Sequence, residues 1–366
     1  MDTYRASLLD ILTAEDNFIN KSRTQSDRLS RVGGEFRYDV SNNRVPVTTS
    51  KYVNLDNIIH ELIWFLRGDT NIKYLVDNDV NIWTPNAFDH YLNNQGIDVE
   101  EGTEEWRERF EAFEERIRTE REFAETHGEL GPVYGKQWRD YEGAGGRVDQ
   151  VQNVVEALSK RSYSTRKIVN AWDPTMVNDM ALPPCHHEWQ MFYEGEQQRG
   201  GNVSLLLNQR SADAFLGEPY NITSYGLLAN ILSHVSSDEN ELEARQFVHR
   251  FGDHHIYCGV GERGEWYRNK ENRRWLREAA LQAEASGKRE NYAQVREDLE
   301  NKLPNEPEGF ELSDHVPQTL TYLSRPTHEA PTVLFRGEFD LDSIARSNIV
   351  LPYENKESYI KGRMAV

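Results

Sequence analysis

The segment Val203-Ser204-Leu205-Leu206-Leu207-Asn208-Gln209-Arg210-Ser211-Ala212-Asp213 leads through Phe215-Leu216-Gly217 and Pro219-Tyr220-Asn221-Ile222 into Ser224-Tyr225-Gly226-Leu227-Leu228-Ala229-Asn230-Ile231-Leu232-Ser233-His234-Val235. Its two ends carry different patterns. Residues 203–208 read as a strand, and 224–235 read as an almost wholly apolar helix that must be buried. A strand followed directly by a buried helix places the chain in a mixed class of helices and strands. Further strands are expected around 166–172 and 188–193.

Working outward, Leu8, Leu9, Ile11 and Leu12 start an N-terminal helix, and Ile58, Ile59, Leu62, Ile63 and Leu66 mark a second over 55–67 that Gly68 stops. Residues 84–127 change character. Trp106, Phe110, Phe113 and Ile117 recur every three or four positions among glutamates and arginines, which predicts one amphipathic, solvent-facing helix. A second charged stretch, 259–316, shows little alternating apolar pattern. No internal repeat is present.

The 366 residues are 37% hydrophobic and 28% charged, enough for a large core under a charged surface. A net charge of −19 argues against general binding of nucleic acid or anionic membranes, since both need a basic face. Arginine outnumbers lysine by roughly three to one, and the acidic excess is dispersed along the chain. Such a surface suits a salt-rich cytoplasm where repulsion is screened. Two cysteines in a chain this long do not make a disulfide framework. With no signal-peptide pattern at Met1–Ala6 and no run of about 20 apolar residues, a reduced cytoplasmic location is expected.

Pro183-Pro184-Cys185-His186-His187 holds a cysteine behind two fixed φ angles. A rigid, partly exposed thiol beside cations can act as a nucleophile, although a lone cysteine is more often a buried core residue. Arg210 beside Ser211 suits a phosphate, with fork donors from one and a hydroxyl from the other. The Asn221 amide carries a donor and an acceptor, matching a uracil edge with O4 and N3–H. Asp213 suits a ligand amide. Taken singly, each of these has a commoner structural reading as a surface ion pair or a turn. In Gly252-Asp253-His254-His255-Ile256-Tyr257, His255 and Tyr257 share a strand face and suit one sugar hydroxyl. His186, His187, Glu188, His254 and His255 do not have metal-site spacing, so no metal is expected.

These motifs, in this order, resemble the thymidylate synthase family: Pro-Cys-His, Gln-Arg-Ser-x-Asp, Leu-Gly-x-Pro-x-Asn-Ile-x-Ser-Tyr and Gly-Asp-x-His-x-Tyr. Ile58–Leu62, Trp64–Leu66, Gly68–Asn71, Gly131–Trp138 and the ending Met364-Ala365-Val366 match as well. The resemblance implies an α+β fold in which a twisted mixed sheet forms a homodimer face and helices cover the other side. It implies one catalytic domain over 1–366 carrying charged insertions at 85–127 and 259–316. It implies methylation of dUMP to dTMP with 5,10-methylenetetrahydrofolate as co-substrate.

The resemblance also implies roles. Cys185 adds to C6 of the pyrimidine, Glu61 manages protons through water, and Tyr134 and His186 support the reactive centre. Arg210, Ser211 and Arg23 hold the phosphate, joined by Arg166 from a second subunit. Gln209, Asp213 and Asn221 meet the base, while His255 and Tyr257 take the ribose. Trp83, Asp213, Gly217 and Val366 contact the folate, with Lys51 near its glutamate tail.

Three departures stand out. Gln25-Ser26-Asp27 replaces two glycines of the phosphate loop, and Thr165-Arg166-Lys167 has one arginine where the family has two. Lys167 is expected to compensate imperfectly, since it lacks the fork. Cys258-Gly259-Val260-Gly261 replaces a His and Gln run. A dUMP hydroxymethylase on the same scaffold is the alternative activity, and an RNA-binding derivative is disfavoured by the charge. Trp83 and the Met-Ala-Val end favour methylation, because hydride transfer needs the exocyclic methylene shielded from water.

Overall fold

The computed structural model describes residues 2–21, 25–195, 200–237 and 242–364. The chain opens with α1 (Asp2–Thr13) and the short strands β1 (Phe18–Asn20), β2 (Arg28–Val32) and β3 (Glu35–Asp39). A helical stretch follows: α2 (Leu55–Leu66), α3 (Lys73–Asp77), α4 (Thr84–Gln95), α5 (Glu104–Thr119), α6 (Arg121–His127) and α7 (Tyr134–Arg139). The hairpin β4 (Tyr141–Gly143) and β5 (Gly146–Val148) leads to α8 (Gln150–Ser159), β6 (Ile168–Asn170), β7 (His186–Gly195), β8 (Gly201–Asp213), α9 (Gly217–Val235) and β9 (Leu242–Tyr257). The remainder holds α10 (Gly261–Arg268), α11 (Lys270–Ala285), α12 (Glu290–Glu300), α13 (Val316–Ser324) and the pair β10 (Leu334–Phe335) and β11 (Ile349–Val350).

The main sheet has seven strands in the order β1-β2-β9-β8-β7-β6, with β3 also paired to β9. Only β8 and β9 run parallel; the other pairs are antiparallel, so the sheet is mixed as expected for the α+β class. The parallel pair is joined through α9, as a parallel connection requires. The expected strands at 166–172, 188–193 and 203–208 fall on β6, β7 and β8. Gly252 faces Arg210 across the parallel pair, where a Cβ would lie 2.6 Å from the Arg210 carbonyl oxygen. Any side chain there would push β9 off β8.

The apolar run 224–235 is the body of α9, buried between the sheet and α2. Burial there of Leu227, Leu228, Ile231 and Leu232, all 0% exposed, is worth about 2 kcal/mol per side chain. Helix α2 starts where the Asn54 side chain accepts from the N–H groups of Asp56 and Asn57 at 3.1 and 3.3 Å. It ends at Gly68, whose φ of +73° suits glycine.

Two expectations are corrected. Residues 84–127 form three helices, not one. The backbone leaves the helical region at Glu120, with φ −107° and ψ 99°, and this folds Phe123 back onto Phe113 at 5.8 Å between ring centroids. Aromatic closure outweighs continued helix propensity, and Phe88, Tyr91 and Trp106 complete the cluster. The 259–316 stretch does hold an apolar stripe: Leu276, Ala280 and Ala283 on α11 and Tyr292, Val295 and Leu299 on α12 are buried. Alanine supplies two of the three residues of the α11 stripe, so its pattern is weak in hydrophobicity yet adequate for close helix packing.

Candidate active site

Cys185 lies at the N-terminal edge of β7, partly exposed. The Arg210 guanidinium clamps the preceding prolines. Its Nε donates to the Pro184 carbonyl at 2.8 Å and its Nη2 to the Pro183 carbonyl at 2.9 Å. The same Nη2 stands 3.8 Å from Cys185 Sγ, so a permanent cation faces the sulfur. The Cys185 N–H donates to the Tyr134 hydroxyl at 2.8 Å, and Arg210 N–H donates to the Cys185 carbonyl at 2.8 Å. The thiol therefore sits on a backbone fixed from three sides.

A β-bulge between His186 and Glu188 shifts the register against β8. His186 stacks on Tyr134, 4.1 Å between centroids, and its Nδ1 pairs with the Tyr225 hydroxyl at 2.7 Å. Burial, aided by neighbouring His187, pushes the His186 pKa down to about 3, so the imidazole is neutral near pH 7. Burial likewise drives the Tyr134 hydroxyl well above its ordinary value, with Cys185 adding to the effect.

Glu61 on α2 is 8% exposed, and burial pushes its carboxyl up to about 7 despite the bond donated by Trp83. The Trp83 ring lies 5.8 Å from that of Tyr134, so Glu61, Trp83, Tyr134, His186, Cys185 and Arg210 form one connected group. A second group continues along β8. Gln209 Nε2 donates to Asn221 Oδ1 at 3.2 Å and to the Ser211 carbonyl at 3.0 Å, and its Oε1 meets His249 Nε2 at 2.8 Å. The Asn221 Oδ1 thus accepts from Gln209, which fixes the amide's orientation.

Asp213 pairs with His255 across β8 and β9, and its Oδ1 accepts from Phe215 and Leu216 N–H at 3.0 and 3.1 Å. That bond closes the turn into α9, where Gly217 stands at the first position. His255 is 2% exposed, and among the described residues neither ring nitrogen has a hydrogen-bond partner; Asp253 Oδ1 is 3.6 Å away. It meets Tyr257 edge-on at 5.2 Å. Lys51 is buried, donates to the Phe215 carbonyl, and is held down at about 8 by burial.

Other expected residues stand apart. Arg166 is exposed on the loop before β6. Arg23 and Val366 lie outside the described residues. Lys167, expected to compensate imperfectly for the missing arginine, is buried, with Nζ donating to the carbonyls of Ser162 and Ser164. Cys258 is fully buried, and burial with Asp314 and Asp27 nearby raises its thiol well above the ordinary value, so it is no nucleophile. Sequence reasoning missed His249, which fixes Gln209, and Tyr225, which fixes His186. It also missed Arg268, whose Nε donates to Asp27 Oδ2 at 2.7 Å. Strand alternation around 249–255 was the one available signal, for His249. Among the described residues no His/Cys/Asp/Glu cluster suits a metal ion, and no helix is long and apolar enough to cross a membrane.

The thymidylate synthase family model matches residues 2–366. The chain is 41% identical over 237 residues to a thymidylate synthase of Mycoplasma genitalium, covering 65% of this chain and 75% of that one. It is 42% identical over 237 residues to that of Aster yellows witches'-broom phytoplasma, with coverage of 65% and 75%. The thymidylate synthase of Mycoplasma mobile aligns at 39% over 265 residues, 72% and 84% of the two chains.

Proposed function

The chain belongs to the thymidylate synthase family, and on that premise we propose that Cys185 is the nucleophile in its reductive methylation of dUMP to dTMP. One observation carries the assignment: Arg210 holds both prolines before Cys185 and presents the same guanidinium to its sulfur at 3.8 Å. The thiolate adds to C6 of the uracil ring, and the π electrons move to C5 and O4. C5 then bonds the one-carbon unit of the methylenetetrahydrofolate co-substrate and loses its proton; the folate leaves that carbon, returns a hydride to it and is released as dihydrofolate. When the product forms, the Cys185–C6 bond breaks and the thiolate is restored.

Glu61 moves protons near O4 through water, for which a carboxyl poised at about 7 is well matched. Neutral His186 and Tyr134 pack the reacting face without adding charge. The Asn221 NH₂ donates to uracil O4 and opposes the amino group of cytosine. The unsatisfied nitrogens of buried His255 fit a ribose hydroxyl, with Tyr257 beside them. Trp83, Asp213 and Gly217 contact the folate, with Lys51, held on the Phe215 carbonyl, near its glutamate tail and Val366 assigned to the same ligand from the family motif alone.

Arg210, Ser211 and Arg23 hold the phosphate together with Arg166 of the partner subunit. The Arg166 guanidinium makes no hydrogen bond to the described residues of its own chain, which favours a homodimer sharing this site. The open sheet face bearing Gly34, His187, Asn208 and Phe251 lines a concavity of about 660 Å³ and suits that dimer. We read the molecule as a single cytoplasmic catalytic domain with insertions at 85–127 and 259–316. Both stretches send residues such as Ile117 and Leu276 into the common core. No observation favours the hydroxymethylase.

The test is turnover of dUMP with methylenetetrahydrofolate, read by mass spectrometry. Cys185→Ser abolishes dTMP formation yet keeps dUMP affinity within about tenfold, because sulfur supplies the bond and other groups supply binding. Cys258→Ser leaves turnover intact. Loss of both binding and fold in Cys185→Ser would make it a structural cysteine.

A further inference from the structure

We infer that a basic cavity between α1 and the α11–α12 junction, lined by Arg5, Lys288 and Arg289, is a second anion site that takes a phosphoryl-type oxyanion. The cavity holds about 380 Å³, enough for such a group with some of its water. Arg5 is 8% exposed, yet its buried Nη1 has no hydrogen-bond partner among the described residues. Its contact is the face of Tyr292, 5.9 Å from the centroid. A guanidinium carries five donors, and burying it without acceptors is costly. Native structures keep such a group where something outside the chain completes it.

The surroundings support an anion over a neutral ligand. Burial lowers the Arg5 pKa, and Arg289 lowers it further, so two cations are pressed together. Lys288 is exposed at the rim, and the N-terminal end of α12 adds its positive dipole. One carboxylate, Glu284, also lines the cavity, with Oε2 bonded to the Tyr292 hydroxyl at 2.6 Å. Three cations against one anion is a local reversal on a chain of net charge −19. Arg289 is held in place by Nη1 to the Arg325 carbonyl at 3.0 Å and Nη2 to Thr327 Oγ1 at 3.1 Å. Neither bond neutralises it, since both acceptors are uncharged.

Calorimetric titration of the full-length protein tests the site, with dUMP saturating so that the catalytic phosphate position is filled. Ionic strength is fixed with potassium chloride, which separates phosphate from chloride. Inorganic phosphate binds saturably to wild type, and Arg5→Gln weakens it by about tenfold or more, the loss expected for a charged fork. Lys288→Glu, at an exposed position, weakens it without touching the fold. In phosphate-free buffer Arg5→Gln melts at or above wild type, because an unpaired buried charge is gone. Glycerol phosphate binding tighter than inorganic phosphate assigns the site to a phosphorylated metabolite; the reverse order assigns it to free phosphate. Absence of saturable phosphate binding, equal binding in Arg5→Gln and Lys288→Glu, or a lower melt of Arg5→Gln without phosphate would each overturn the inference.

Discussion

Trp83 donates its indole N–H to Glu61 Oε1 at 2.8 Å, joining the residue proposed to cover the folate to the residue proposed to move protons. The bond favours the charged carboxylate, but burial outweighs it and leaves the group at about 7. Glu61 is thus half ionised near neutrality, where a proton shuttle is most effective.

A raised carboxyl pKa means that the folded state holds its proton more tightly than the unfolded chain. That contribution to stability is fully present below about 4.5 and is lost as pH rises through about 7. Glu61→Gln keeps an acceptor for Trp83 and removes the titration. Between pH 4 and 8 its stability should therefore gain on wild type by on the order of 3 kcal/mol. Its turnover should fall by about 100-fold or more. Urea unfolding at several pH values checks the first part; parallel stability curves for the two proteins would show that Glu61 is not held at about 7.

Asn221→Asp should shift preference from dUMP toward dCMP. Gln209 Nε2 still donates to one carboxylate oxygen, and the other then accepts from the cytosine amino group. Competition kinetics with the two nucleotides reads the ratio directly. An unchanged ratio would give ring selection to another residue.

Asp27, fixed by Arg268, follows the proposed phosphate ligand Arg23 by four positions. Arg268→Ala should raise the KM for dUMP several-fold while kcat stays close to wild type, since positioning is lost and chemistry is not. A fall in kcat alone would place Arg268 elsewhere in the mechanism.

Salt acts in two directions on this molecule. It weakens exposed pairs such as Arg109–Glu105, Arg116–Glu120 and Arg121–Glu125, which solvent already screens heavily. It also screens the repulsion of a net charge of −19, which involves every surface carboxylate. The second effect is larger, so Tm should rise from low to molar potassium chloride. A flat or falling Tm would remove the salt-adapted reading.

The site was legible where chemistry shares one short stretch: Gln209, Arg210, Ser211, Asp213 and Asn221 lie together in sequence and in space. Cys185 was legible through its prolines, although the Arg210 clamp on those prolines was not. Links between distant elements left no local trace. The Asp27–Arg268 bond joins residues 241 positions apart, and the His249–Gln209 bond joins two strands. Helices α11 and α12 were hidden because alanine and tyrosine fill much of their buried stripes. The break at Glu120 follows from aromatic packing, which a helical period alone does not register. The bonds from Lys167 Nζ to the carbonyls of Ser162 and Ser164 also left no trace in the motifs.

The most direct measurement is a trap at the sulfur itself. Bond formation at C5 must be followed by loss of the C5 proton, so a dUMP analogue with fluorine at C5 stalls after Cys185 has added to C6. Incubation with that analogue and methylenetetrahydrofolate, then denaturation, digestion and mass spectrometry, locates the adduct. The account predicts nucleotide and folate mass on the peptide bearing Cys185, with the peptide bearing Cys258 unmodified. An unmodified Cys185 peptide from protein that still turns over dUMP would contradict it.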